Sequence, residues 1–125
     1  MSLKDSIASS DDVAYEDITV PEWGGIVLRV QSVSLARRDE LQRAFSKRPD
    51  ENSLLDNTAD LFTATLHDPD TGEAVFASIS EAKEALSQRN AAVVDRSAGV
   101  ANRLLGFDTA AAELIEGAKK SPSDD

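Results

Sequence analysis

The sequence contains no cysteine, and that absence removes disulfide bridges, thiolate nucleophiles and thiolate metal sites at once. A single histidine, His67, rules out a metal centre built from several imidazoles. Aromatic residues make up 5% of the chain against a hydrophobic fraction of 41%, so the core must be built mainly from Ala, Val and Leu. Each buried aliphatic side chain contributes roughly 1.5–3 kcal/mol. The expected stability is therefore ordinary or marginal, and association with a partner or with itself would add to it. Long apolar runs are missing as well. Nowhere do about 18 consecutive apolar residues occur, so no helical membrane span is expected. The opening Met1-Ser2-Leu3-Lys4-Asp5 leads into polar residues without a secretory apolar stretch, and the expected compartment is a cytoplasm.

Positive charge is also scarce. Thirteen Lys and Arg face 23 Asp and Glu, a formal charge of −10, which repels phosphate and argues against nucleic acid as the main partner. One local exception stands out. Arg29, Arg37, Arg38, Arg43, Lys47 and Arg48 fall close together, opposed only by Asp39 and Glu40. Two readings are open for this cluster: a solvated helix face, or a docking patch for an acidic partner or a second copy of this acidic chain.

With 125 residues there is room for one domain and one modest core. The expected class is α+β: a small single domain with an N-terminal β-hairpin followed by a mainly α-helical body. Residues 1–14 are Ser and Asp rich with sparse apolar positions, and read as a disordered or loosely attached acidic arm. Residues 15–33 alternate as two strands around Pro21-Glu22-Trp23-Gly24-Gly25, where the glycine pair supplies positive φ. Trp23, at the tip, is either a lid over one end of the core or an exposed anchor for a partner.

Ser34 is a plausible N-cap for a helix to about Lys47, with Leu35, Leu41, Ala44 and Phe45 as its apolar stripe and Pro49 beyond it. From Ser53 onward, Leu54, Leu55, Thr58, Leu61, Phe62 and Leu66 have helical spacing, and the expected element is a helix that ends near Leu66, although the Thr-rich stretch 61–67 also suits a strand. Asp68-Pro69-Asp70-Thr71-Gly72 predicts a turn with a short return over Glu73–Phe76. Ser78-Ile79-Ser80-Glu81 has capping-box spacing for a short helix to about Gln88. Asn90 or Asp95 opens the strongest amphipathic helix, with Val94, Ala98, Ala101 and Leu105 toward the core and Gly106 as its stop. Asp108 caps a last Ala-rich helix to about Ala118, so the domain spans 15–118. Residues 119–125 are expected to be a flexible tail.

The catalytic inventory is thin. No nucleophile elbow accompanies His67, which reads as an ordinary turn-flanking residue. Asp68, Asp70 and Glu73 lack the remaining ligands of an EF-hand loop. No P-loop or dinucleotide fingerprint is present, and nothing suggests an apolar pocket that would raise the pKa of a carboxylate pair. The expectation is a binder without catalysis, metal or cofactor.

Taken in order, several segments resemble the tail assembly chaperones of long-tailed bacteriophages, over about residues 16–107. They are Val20-Pro21-Glu22-Trp23-Gly24, Val27-Leu28-Arg29-Val30, Ser34-Leu35-Ala36-Arg37-Arg38-Asp39 and Asp68-Pro69-Asp70-Thr71-Gly72 with Val75-Phe76. Ala91-Ala92-Val93-Val94-Asp95-Arg96 and Ala101-Asn102-Arg103-Leu104-Leu105-Gly106 complete the set. The resemblance implies a non-enzymatic helper that binds the tape measure protein, keeps it soluble in the host cell cytoplasm and helps recruit the major tail protein. Such a helper is absent from the mature virion. It also implies a longer form made by ribosomal frameshifting, for which Ala118, Lys119 and Lys120 are the candidate slippage site. Trp23, Arg37, Arg38 and Arg43 are the candidate partner-binding residues. Two other classes stay open: a virion tail or head–tail joining protein, and a small prophage regulatory module.

Overall fold

The computed structural model describes residues 2–48 and 54–107. Strands β1 (Tyr15–Val20) and β2 (Ile26–Gln31) form the predicted hairpin. Their antiparallel register runs from Tyr15 opposite Gln31 to Val20 opposite Ile26. Pro21–Trp23 make one 3-10 turn between them, which suits a residue with fixed φ and no N–H to satisfy. Gly24 (φ 78°) and Gly25 (φ 75°) then reverse the chain, and the Gly25 N–H donates to the Val20 carbonyl at 3.0 Å. Side chains with a Cβ strongly disfavour that left-handed backbone.

A third strand, β3 (Leu66–His67), pairs antiparallel with β2, so β2 is central. Leu28 and Val30 point inward from it and are buried, as is Val20 at the end of β1. The period-2 alternation of the hairpin thus supplies one wall of the core.

Five α-helices lie among the described residues. The first, α1 (Leu3–Ser9), sits inside the segment read as a loose acidic arm. Ser2 caps it by accepting from the Asp5 N–H, and none of its residues is buried. Helix α2 (Leu35–Ser46) is capped by Ser34, whose Oγ accepts from the Arg37 N–H at 3.1 Å. Only Leu41 of α2 is buried, while Leu35 is 73% exposed. The expected stripe is therefore narrower than its spacing implied. Leu35 and Leu41 lie six residues and so about 120° apart around the helix, whereas Phe45 follows Leu41 by four residues and about 40°.

Helix α3 (Leu54–Thr65) is the centre of the body and packs against α2, β2 and two further helices, α4 (Ile79–Leu86) and α5 (Ala91–Leu105). Ala59, Leu61 and Phe62 are buried on it. The ambiguous stretch 61–67 resolves into both forms: helix to Thr65, then strand. The turn after β3 places Ala74 back opposite His67. Ser78 caps α4 by accepting from the Glu81 N–H at 3.2 Å, and Asn90 caps α5 through the Ala92 N–H at 2.9 Å. Val93, Val94, Ser97, Ala101 and Leu105 form the buried stripe of α5, with Ala98 partly buried beside it. Gly106 ends α5 at φ 84°. The expected helix from Thr109 to about Ala118 with its cap Asp108, the tail 119–125 and the candidate frameshift residues Ala118, Lys119 and Lys120 lie outside the described residues.

Candidate functional site

The hairpin tip is where sequence and packing converge. Trp23 is half-buried, packed against the edge of the core. Its exposed remainder lines an almost wholly apolar hollow of about 140 Å³, with Ile26, Leu28, Phe76 and Leu86 among the walls and Arg89 at the margin. The ring packs against the core and also lines the hollow. In the sequence Phe76 ends a short return after the turn and belongs to one of the resembling segments, and its place with Trp23 on the hollow depends on the tertiary fold.

An ion pair fixes this tip. Arg96 of α5 donates to both carboxylate oxygens of Glu22, at 2.9 and 2.7 Å. The guanidinium holds the Glu22 carboxyl down at about 2 and raises Arg96 in turn. Farther along β1, Arg103 reaches Glu16 at 2.6 Å, so α5 is tied twice across the hairpin. Asp17 and Arg29, directly opposite in register, make a two-point pair at 2.8 and 3.0 Å that lowers the Asp17 pKa and raises that of Arg29. The Arg29 guanidinium also lies 4.2 Å from the centre of the Tyr15 ring. Lys83 of α4 meets Asp56 of α3 at 2.6 Å and lowers its pKa.

The three arginines singled out on α2 have separate fates. Arg43 projects into solvent, 3.0 Å from Asp39. Arg37 is half-exposed, with Glu40 at 3.3 Å and the buried carboxylate of Asp60 at 3.6 Å. Arg48 approaches that same carboxylate at 3.3 Å, so Asp60 is enclosed by two guanidinium groups. Arg38 turns inward and donates from Nη1 to the Leu105 carbonyl at 3.1 Å, satisfying an orphan acceptor at the negative end of α5. The fold therefore places Arg37 and Arg38 in contacts with α3 and α5, and only Arg43 stands well clear of the body.

The chemistry available elsewhere is limited. His67 Nδ1 lies 3.0 Å from the Thr65 carbonyl. In the 68–72 turn, Asp68 Oδ1 accepts from the Asp70 N–H at 2.8 Å, and Gly72 has φ 75°. Among the described residues, no group of three or more His, Cys, Asp or Glu side chains is placed to hold a metal ion.

No family model and no curated protein matches the sequence. Among solved structures, the chain is similar to the tail assembly chaperone of bacteriophage HK97. The superposition has a TM-score of 0.54 at 19% identity, and covers 82% of this chain and 89% of that one. The two chains share a fold, and this chain's α+β architecture of a three-stranded antiparallel sheet followed by a helical body is the expected one.

Proposed function

We propose that this protein is a tail assembly chaperone of a long-tailed bacteriophage, a binder that holds the tape measure protein soluble in the host cytoplasm while the tail assembles. The observation that carries this reading is the fold shared with the HK97 chaperone over most of both chains. The ordered motifs of residues 16–107 support it. A chaperone of this kind needs a soluble, strongly charged body with a restricted apolar surface. The net charge of −10 and the hollow beside Trp23 meet that need. Recruitment of the major tail protein and a frameshifted longer form starting near Ala118-Lys119-Lys120 belong to the same proposal. Mass spectrometry of the product of the native gene with its downstream sequence tests the longer form.

Capture experiments separate this reading from the alternatives. Immobilised protein should retain the tape measure protein of its own phage, and not duplex DNA. A stable ring of this chain within purified virions would instead assign it to the tail structure. Preference for DNA or a host enzyme would assign it to regulation.

A further inference from the structure

The hollow beside Trp23 continues into a second one. Ile26, Leu28 and Val75 line both, and the second, of about 480 Å³, is completed by Val27, Pro69 and the acids Asp68 and Asp70. Ile26 and Val27 are 46% and 45% exposed, and their side chains alternate across β2. Together the hollows form a mainly apolar groove, with Arg89 on the wall of the first and two carboxylates on the wall of the second. The turn that carries those carboxylates is built firmly. The Asp68 N–H donates to the Glu73 carbonyl at 2.8 Å, and the Gly72 N–H to the Asp68 carbonyl at 2.7 Å.

We propose that this groove, from Trp23 and Ile26 to Asp68 and Asp70, is a docking site for a partner-protein segment that is apolar on one side and positively charged overall. The assignment of an occupant rests on charge complementarity. Two carboxylates against one guanidinium border the groove, and the whole molecule carries −10. A cationic segment is attracted at long range and oriented on arrival, while an acidic segment is repelled. Large aliphatic or aromatic side chains supply the fit to the hollows, and Lys or Arg beside them meets Asp68 and Asp70. The inference deepens the chaperone reading by naming a surface and the chemistry of the segment it takes.

Trp23 is the only tryptophan in the chain, so its emission reports occupancy directly. The probes are two synthetic helical peptides without tryptophan, identical in their leucines, one with lysine and one with glutamate at the polar positions. The lysine peptide should shift the emission saturably and bind at least tenfold more tightly than the glutamate peptide. Ala85→Phe, on the exposed side of α4 where Ala85 borders the first hollow, should weaken binding at least tenfold with an unchanged circular dichroism spectrum. Val27→Lys, in the second hollow, should do so independently, and Asp68→Asn with Asp70→Asn should reduce the preference for lysine and its salt dependence. Equal binding of the two peptides, no binding of either, or full binding by both blocking variants would overturn the proposal. Co-expression with the tape measure protein separates this result from the chaperone reading. If the blocking variants still keep it soluble, the groove is not the docking site and the chaperone reading stands. If the wild-type chain fails to keep it soluble although the lysine peptide binds, the groove stands and the chaperone reading falls.

Discussion

Replacing Ala101 with aspartate tests whether the strongest amphipathic stripe in the chain is core or surface. Ala101 is 0% exposed on α5, in the same stripe as Val94, Ser97 and Leu105. A carboxyl group introduced there loses water without gaining a partner, at about 2–7 kcal/mol, and the added volume strains a filled site by about 1–3 kcal/mol more. Domains of this kind have about 5–15 kcal/mol in total, so the variant is expected to be largely unfolded or to lose more than about 1 M from its urea midpoint. Trp23 emission and far-ultraviolet circular dichroism both report the transition. The introduced carboxyl has a raised pKa in the folded state because burial disfavours its charge. The deficit should therefore shrink as the pH falls through that raised value. Ala92→Asp is the matched control: Ala92 is exposed in the first turn of the same helix, where a negative charge is neutral or favourable. An Ala101→Asp variant as stable as its control would refute the reasoning and make the stripe an open partner groove.

Glu22, held down at about 2 from an ordinary 4.5 by Arg96, should add stability that is complete above about pH 4.5 and fades as the pH falls toward 2. The melting-temperature difference between wild type and Glu22→Gln, followed against pH, should shrink over that window and stay constant above it. Gly106→Ala should cost about 1–2 kcal/mol by chemical denaturation, because φ is 84° there and the new Cβ would lie 3.3 Å from Arg38 Nη1. Chelation with EDTA should leave the melting temperature unchanged, and elemental analysis should find no stoichiometric metal; a metal required for folding would contradict the reading of the composition.

The parts of the fold governed by local rules were legible in the sequence. Alternation and paired glycines specified the hairpin, and Ser34, Ser78, Asn90 and Gly106 marked helix ends because capping is a contact within a few residues. Leu35 was misassigned because α2 packs mainly on α3 and buries a single residue, so a wide stripe has nothing to face. The helix-to-strand change at Leu66 was ambiguous because a strand of two residues carries almost no periodicity and exists through pairing with β2. Arg38 shows the same limit at the candidate site. Its inward turn depends on a carbonyl 67 residues along the chain, and no local pattern distinguishes it from Arg37 or Arg43. The sequence singled out Trp23 at the hairpin tip, but the hollow it lines needs Phe76 and Leu86 from distant segments.

The most direct test of the central claim is the solubility of the tape measure protein. It should be expressed with and without this chain in the same bacterial host, and the soluble fraction quantified after centrifugation. The chaperone reading predicts that the tape measure protein is mostly insoluble alone, becomes mostly soluble with this chain, and elutes with it in one complex on size exclusion. A tape measure protein that stays insoluble in its presence, or is soluble without it and never co-elutes, would contradict the account.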